Sequence, residues 1–425
     1  MTSLPLAAII GGAVCGAPLF IIFGALALLL FHAQGIDTQA VIIEMVRLAS
    51  APTLIAIPLF TFAGYLLAES KSPQRIVNLC RALFGWMPGG LAVVSLVACA
   101  FFTAFNGASG VTIIALGGLL LPILAKEKYP ERFSMGLLTA GGSLGLLFPP
   151  SLPLILYALM ARVNVEALFL AGILPGIMIV LMLSLYSMRS GARAQVDREP
   201  FRWNTIRTAL WEAFWIIPLP FIVLVGIYGG FFTASEAAAV TAVYVLFVEL
   251  VIYRDIKPFR DVPRIAANSM VLVGGVLIIL GCALGFTNYL VDEQVPMKIL
   301  AFMREFITSK VMFLAVLNVF LLVVGCLMDI FSAIIVVVPL IVPVAKEFGV
   351  DPVHLGIIFL LNLEIGYITP PVGMNLFISS FRFKKPLPEL IRSTFPFLLV
   401  MLVALLIVTY VPDISLALVK LFGKY

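Results

Sequence analysis

The sequence predicts an all-α polytopic membrane protein made of two inverted repeats, each with a re-entrant helical hairpin and a broken transmembrane helix. The first observation is composition: of 425 residues, 62% are hydrophobic and only 12% are charged, about half the charged share of soluble domains. The second is a series of uncharged stretches interrupted by Gly, Pro and small polar residues, and the third is the recurrence of these interruptions at one fixed spacing. This composition excludes an ordinary soluble enzyme, a disordered chain and a nucleic-acid-binding protein.

The first half, residues 1–188, opens with two apolar spans, at about 5–31 and 51–68. After a polar, partly amphipathic connector, an uncharged stretch runs from Ala82 to Ala125, which is too long for one span and short for two. Its middle contains the helix breakers and small polar residues Asn106, Gly107 and Ser109. We therefore expect a hairpin over 91–124, whose two half-helices meet at a tip inside the membrane.

A broken helix is expected next, over 133–161, because Gly145 and the pair Pro149-Pro150 interrupt a second uncharged stretch. Proline removes an amide donor and breaks a helix. In hydrocarbon, the freed backbone groups must find partners in protein, water or ions. A span at 165–188 follows, and the most basic segment, 189–207, is the expected cytoplasmic linker between the halves.

The second half, residues 208–425, repeats this order. Its apolar spans are expected near 209–232, 236–253, 270–290 and 393–411. A hairpin over 311–345 has its tip from Gly325 to Asp329, and a broken helix over 353–380 is interrupted around Pro370-Pro371.

Helix-breaking residues in the two halves are 221 positions apart. The spacing holds for Pro122 and Pro343, for Gly145 and Gly366, and for the only two Pro-Pro pairs of the chain. Such a register indicates an internal repeat. The chain is expected to cross the membrane five times from the start of the span at 51–68 to the start of its counterpart at 270–290. Because five is odd, the two spans start on opposite sides of the membrane, and the second repeat is inverted relative to the first. Inverted repeats with broken helices are typical of secondary transporters, whose sites lie near the bilayer midplane.

The distribution of positive charge orients the chain. With 189–207 in the cytoplasm, the segments expected on that side carry 19 of the 27 Lys and Arg residues. The first hairpin then opens from the cytoplasmic side and the second from the outside, where the C-terminus also lies. The N-terminus lies inside only if 5–31 is one continuous crossing, which Pro18 leaves open.

The broken segments can supply cation ligands, because unwound backbone offers carbonyl oxygens and hard cations such as Na⁺ bind several oxygens. We expect two Na⁺ sites related by the repeat and no other metal. The expected ligands are Asn106, Gly107, Ser109, Gly145 and Pro150 in the first half, and Gly325, Asp329, Thr369, Gly373 and Met374 in the second. The alternative is that the glycines and small residues only permit close helix packing.

Carboxylates inside a membrane are costly and are functional candidates by default. Asp329 could neutralise a bound cation. Glu236 begins a span, where it either caps the helix or acts in transport. Glu364 precedes the second break and is either a proton site or the partner of a hydroxyl group. The set expected to act on substrate or in transport is Ser109, Glu236, Asp329, Pro149, Pro370 and Pro371.

Three motifs carry a family resemblance: Gly325-Cys-Leu-Met-Asp-Ile-Phe-Ser332, Ile365-Gly-Tyr-Ile-Thr-Pro-Pro-Val-Gly-Met-Asn375 and Phe232-Thr-Ala-Ser-Glu-Ala-Ala-Ala239. In combination they resemble the large membrane subunit of TRAP (tripartite ATP-independent periplasmic) transporters, over nearly the whole chain. The resemblance implies an elevator-type, Na⁺-coupled importer of organic acids in the bacterial inner membrane. It also implies that Asp329, Glu236 and Ser109 are functionally sensitive. One departure is the first tip, where the family often has an Asp and this chain has none from Asn106 to Ala115.

The same resemblance implies two protein partners, a soluble periplasmic substrate-binding protein and a small four-helix membrane subunit. No small-subunit sequence is fused at the N-terminus, so that subunit is expected to be a separate chain. A carboxylate such as sialic acid or a C4-dicarboxylate is the expected substrate, with other sugar acids and keto acids left open.

Three other classes of protein compete with this interpretation. A stand-alone Na⁺- or H⁺-coupled anion symporter of elevator type is the alternative within transport. An intramembrane enzyme is not expected, because Asp329 has no intramembrane Asp partner and neither His lies beside an obvious nucleophile. A purely structural scaffold would gain nothing from disrupted backbone in lipid.

Overall fold

The computed structural model describes residues 3–35, 37–87, 89–193, 202–307 and 309–423, and within these ranges it contains helices and no strands. Eight helical segments in this part of the chain are long and apolar enough to cross a membrane, or up to ten if each of two bent helix pairs is one span. The predicted all-α polytopic fold is confirmed.

The N-terminal region is two helices rather than one continuous crossing. They are α1 (Ser3–Val14) and α2 (Leu19–Ala33), and α3 (Gln39–Ala49) follows them. The interruption is at Gly16, whose φ of +84° favours glycine, and at Pro18. The apolar run at 5–31 therefore reads as a single span in the sequence but bends where these two residues act together.

The first repeat extends from the second expected span to the basic linker. Its helices are α4 (Ala56–Glu69), α5 (Ser72–Phe84), α6 (Gly90–Asn106), α7 (Ser109–Thr112), α8 (Gly118–Lys126), α9 (Glu131–Gly141), α10 (Leu152–Ala161) and α11 (Val165–Arg193). A π-helical turn at Ile113–Gly117 joins α7 to α8, so the second arm of the hairpin is continuous. A short 3₁₀ turn at Leu144–Leu147 lies inside the break between α9 and α10.

The middle of the chain differs from the prediction in one element. The expected span at 209–232 is two helices, α12 (Trp203–Ala213) and α13 (Pro218–Tyr228), bent by 61°. The amphipathic helix α12 packs on α5 through Ala209, Ala213 and Leu79. Helix α14 (Ala234–Phe247) follows, with a π-helical turn at Val248–Ile252. The ends of the linker 189–207 belong to α11 and α12, and its middle, 194–201, lies outside the described residues.

The second repeat has the same helix order. It consists of α15 (Asp261–Asp292), α16 (Val295–Phe306), α17 (Lys310–Leu327), α18 (Ile330–Glu347), α19 (Pro352–Gly366), α20 (Met374–Phe383) and α21 (Leu387–Tyr410), and α22 (Pro412–Leu421) ends the described chain. Helices α16 to α21 each begin within two residues of the position that lies 221 after their counterpart. Both Pro-Pro bonds are cis. The structure therefore shows the repeat that the spacing of helix breakers predicts.

The two repeats pack across each other. Helix α10, which follows the first break, packs on α18 of the second hairpin, and α20, which follows the second break, packs on α7 and the π-helical turn of the first hairpin. At the centre of this arrangement the fully buried Tyr157 donates a hydrogen bond to the Pro352 carbonyl at 2.9 Å and packs against Phe359. Both hairpins and both broken helices thus share one core.

Candidate functional site

The first hairpin tip is ordered by its own side chains. Gly107 ends α6 with a φ of +65°. The Asn106 carbonyl Oδ1 accepts a hydrogen bond from the Ala108 amide at 2.9 Å, and its Nδ2 donates to Thr112 Oγ1 at 3.0 Å. Because both polar ends of the buried Asn106 side chain are engaged, the side chain fixes the shape of the tip.

The first tip lies directly against the first broken helix. Thr103 Oγ1 donates to the Gly142 carbonyl at 2.7 Å. A Cβ on Gly145 would lie 2.5 Å from the Thr103 Cβ, and one on Gly107 would lie 2.6 Å from the Leu152 Cβ. These approaches require glycine, so close packing and exposure of unwound backbone occur at the same positions. The structure thus shows the close packing of these glycines, and cation coordination by them stays a prediction.

The first break itself is sealed from solvent. Pro149, Pro150 and Ser151 are all buried. The Ser151 hydroxyl has no hydrogen-bond partner among the described residues. A buried hydroxyl without a partner is costly, so this oxygen is a further candidate ligand, which the sequence argument missed.

The second tip is paired with the second broken helix in the same way. A Cβ on Gly366 would lie 2.6 Å from the Gly325 Cα. The Gly373 amide donates to the Cys326 carbonyl at 3.1 Å, and the Ile330 amide donates to the Tyr367 hydroxyl at 2.7 Å. Gly145 and Gly366, which are equivalent in the repeat, therefore perform the same packing role in each half.

Asp329 is the N-cap residue of α18. Its carboxylate accepts a hydrogen bond from the Ser332 amide at 3.0 Å and another from the Ser332 hydroxyl at 2.7 Å. The side chain is only partly buried. The charge thus lies at the start of a helix, where the helix dipole stabilises it, and a cation at the tip could bind the same carboxylate.

The second break is open, in contrast to the first. Pro370, Pro371 and Val372 are exposed, and Met374 is 39% exposed. The Thr369 hydroxyl, just beyond the end of α19, donates to the Ile365 carbonyl in the last turn of that helix at 2.7 Å. The two repeat-related breaks therefore differ in accessibility within this one conformation.

A polar link joins the first tip to the second broken helix. The Ser109 hydroxyl donates to Asn375 Oδ1 at 2.7 Å, and Asn375 Nδ2 reaches the Thr139 carbonyl at 3.4 Å. Thr139 Oγ1 also lies 2.8 Å from the Ser379 hydroxyl. Asn375 ends one of the motifs quoted above, but nothing in the sequence shows that it meets a residue 266 positions away.

The two other intramembrane carboxylate candidates lie in different settings. Glu236 is exposed and forms a capping box at the start of α14, accepting hydrogen bonds from the Thr233 amide and hydroxyl. Its expected capping role is confirmed, and a role in transport stays a prediction. Glu364 is fully buried, and neither of its oxygens has a partner among the described residues. A hydroxyl partner for Glu364 is therefore not found in this conformation.

A cation at either tip would depend mainly on backbone, amide and hydroxyl oxygens. The described residues contain no group of three or more His, Cys, Asp or Glu that could hold a metal ion. Oxygen ligands without thiolate or imidazole suit a hard cation. Only the second tip adds a carboxylate, from Asp329.

Paired hairpin tips and broken helices in one repeat-built helical core define a secondary transporter. The chain belongs to the DctM component family of the tripartite ATP-independent periplasmic transporters, whose family model matches residues 5–414. It is therefore a transporter permease and not an enzyme.

Named relatives agree with this membership, and a solved structure shares the fold. The chain is 37% identical to the C4-dicarboxylate TRAP transporter large permease protein DctM of Pseudomonas aeruginosa, over 94% of this chain and 93% of that protein. It is 36% identical to the isethionate TRAP transporter permease protein DctMQ of Oleidesulfovibrio alaskensis, over 95% of this chain and 64% of that longer protein. The crystal structure of the Alcanivorax borkumensis YdaH transporter matches with a TM-score of 0.62 at 13% identity, over 90% of this chain and 87% of that one. That likeness concerns the fold alone.

Proposed function

We propose that this chain is the large permease of a transporter that imports a small organic anion with Na⁺ as the coupling ion. The observation that carries the proposal is the close pairing of each hairpin tip with the broken helix of its own repeat. Each pairing gathers unwound backbone, and Asp329 adds negative charge at the second. Na⁺ bound there would be coordinated by backbone carbonyl oxygens and would offset the negative charge of an anionic substrate.

The proposed substrate is a C4-dicarboxylate or a related organic acid. The relatives described above are named as transporters of C4-dicarboxylates and of isethionate. Both kinds of substrate are small organic anions. Sialic acid belongs in the test panel as a larger carboxylate. An anion of this kind suits a site with cations and helix N-termini close by.

The unequal exposure of the two breaks supports an elevator mechanism. Here the first break is buried and the second is open. In the opposite state we expect the exposures to be exchanged, since the repeats are equivalent. Single Cys residues at Pro150 and at Pro371 should then react with a membrane-impermeant thiol reagent in opposite conformations.

We further propose that the chain works in the bacterial inner membrane with two partners, a small membrane subunit and a periplasmic substrate-binding protein. A DctMQ relative longer than this chain supports the small subunit, because its name combines the two permease components. With the topology proposed from Lys and Arg, the binding protein would dock on the outer face, where the second hairpin opens.

Reconstitution in proteoliposomes tests these proposals together. Uptake of labelled succinate, isethionate and sialic acid is measured with each protein component omitted in turn, and with Na⁺ replaced by K⁺ or choline. We expect uptake to require all components and to depend sigmoidally on Na⁺. Full uptake by the chain alone would favour the stand-alone symporter, and full uptake without Na⁺, or with a proton gradient alone, would refute Na⁺ coupling.

A further inference from the structure

Glu364 is a buried carboxyl that the proposed cation sites do not use. It lies in the last turn of α19 with 0% exposure, and both oxygens lack a hydrogen-bond partner among the described residues. An isolated carboxylate in such a setting is strongly disfavoured, and the group takes up a proton instead. Glu249 is equally buried, but its Oε1 accepts hydrogen bonds from the hydroxyls of Ser70 at 2.9 Å and Ser72 at 2.5 Å, and only its Oε2 lacks a partner among the described residues. Burial of a carboxyl in this fold therefore does not by itself mean that both its oxygens lack partners.

The Glu364 side chain lies on the side of α19 that faces the first half. Asn362 marks the opposite side, because its Nδ2 donates to Asn318 Oδ1 of α17 at 2.8 Å. Glu364 is two residues further along, which rotates it by about 200° around the helix. Gly356, where a Cβ would contact Tyr157 of α10 and Leu168 of α11, lies about 80° from Glu364 around the helix and so on the same half of its surface. The carboxyl is thus enclosed between the two repeats.

Tyr367 connects this carboxyl to the second tip. It lies one turn after Glu364, and its hydroxyl accepts the Ile330 amide at 2.7 Å. Ile330 directly follows Asp329, the N-cap residue of α18, so this hydrogen bond joins the α19 turn that contains Glu364 to the start of α18. No Lys, Arg, His or hydroxyl group of the described chain donates a hydrogen bond to the Glu364 carboxyl. Tyr367 therefore links the helix turn of a carboxyl without hydrogen-bond donors, Glu364, to the helix start where Asp329 has two.

We propose that Glu364 is a proton-binding site whose proton leaves when Na⁺ occupies the second tip. The proposal rests on the proposed Na⁺ coupling. A cation beside Asp329 attracts the nearby carboxylate and favours its ionised form, so the O–H bond breaks and the proton passes to water. By thermodynamic reciprocity, a proton on Glu364 weakens Na⁺ binding to the same extent. One positive charge replaces another, and the interior keeps its net charge.

The test is a Na⁺ titration of the purified chain in nanodiscs at several pH values. Na⁺ binding is detected at each concentration as a rise in the thermal unfolding midpoint. In the wild type, the Na⁺ concentration for half-saturation should fall as the pH rises, by up to about tenfold per pH unit if one proton leaves for each Na⁺. Glu364→Gln imitates the protonated form, so the Na⁺ concentration for half-saturation of this variant should be the same at every pH. Glu249→Gln is the matched control, because it removes another buried carboxyl and should keep the wild-type pH dependence.

A second measurement needs no variant. Addition of NaCl to weakly buffered wild-type protein should release protons to an indicator dye, and KCl should not. Three outcomes would each overturn the Glu364 proposal and leave Na⁺ coupling intact. They are a wild-type Na⁺ response that is independent of pH, a pH dependence that Glu364→Gln retains, and Na⁺ binding without proton release. A wild type with no Na⁺ response at any pH would overturn Na⁺ coupling and, with it, this inference.

Discussion

Replacing Asp329 by Asn tests whether the charge at the second tip binds a cation. The carboxylate now caps α18 through the Ser332 amide and hydroxyl, at 3.0 and 2.7 Å. Asn retains a side-chain oxygen that can accept such bonds, so the cap is kept while the negative charge is lost. Ala removes both the cap and the charge. The pair of variants therefore separates helix stability from cation binding.

The magnitude follows from the position of the charge at a partly buried tip. A cation about 4 Å from a carboxylate gains about 4 kcal/mol at an effective dielectric constant of about 20. Since each factor of ten is about 1.4 kcal/mol, we expect the Na⁺ concentration for half-maximal uptake to rise about 100- to 1000-fold in Asp329→Asn. Asp329→Ala should add a loss of about 1 kcal/mol in the free energy of unfolding from the missing cap.

Asp351→Asn and Asp351→Ala are the matched controls. Asp351 also caps a helix, since its carboxylate accepts hydrogen bonds from the Val353 and His354 amides at 2.8 and 3.1 Å. It lies at the start of α19, at the opposite end from the second break. Uptake by the complete transporter is measured against Na⁺ concentration, with the unfolding midpoint of each variant. Wild-type Na⁺ dependence in a folded Asp329→Asn protein would refute the assignment of this charge.

Three further substitutions test the packing and the polar links. Gly366→Ala forces a Cβ into the backbone of α17, so it should abolish uptake and lower the unfolding midpoint. Gly275 has open space around it, and Gly275→Ala should have neither effect. An active Gly366→Ala protein would contradict the pairing of tip and break. Ser109→Ala removes the 2.7 Å hydrogen bond to Asn375. It should lower the free energy of unfolding by about 1 kcal/mol and reduce uptake. An unchanged unfolding midpoint and uptake rate would show that this hydrogen bond is dispensable. Glu236→Gln should retain uptake, because Gln preserves a capping box; a folded but inactive Glu236→Gln protein would instead support a role for that carboxylate in transport.

The sequence was sufficient to locate the hairpins and breaks because these depend on local chemistry. The hairpin expected over 91–124 begins and ends within two residues of the first residue of α6 and the last residue of α8, and its expected tip lies between α6 and α7. The spacing of 221 then transferred the same boundaries to the second half. Glycine, proline and small polar residues interrupt a helix wherever they occur, so no tertiary information was needed.

Features that depend on tertiary packing were not predictable. The stretch 209–232 is apolar throughout its centre and so predicts one span. In the structure, α12 packs on α5 and is bent relative to α13, and nothing in the hydropathy indicates this bend. The meeting of Ser109 with Asn375 joins two halves of the chain, and hydropathy contains no information about it. The isolation of Glu364 is likewise a property of its neighbours, none of which the sequence places around it.

The two tips share a backbone design but differ in charge, and this difference predicts unequal cation sites. The first tip is shaped by the neutral amide of Asn106, whose polar atoms are both engaged, and it adds only hydroxyl and carbonyl oxygens. The second tip has the carboxylate of Asp329, which accepts hydrogen bonds from the Ser332 amide and hydroxyl. A cation at the first tip therefore gains only ion–dipole energy, while one at the second also gains charge compensation. We expect Na⁺ to fill the second tip at lower concentration, so that substitutions of Asp329 alter the first phase of Na⁺ binding and those of Asn106 alter the later one.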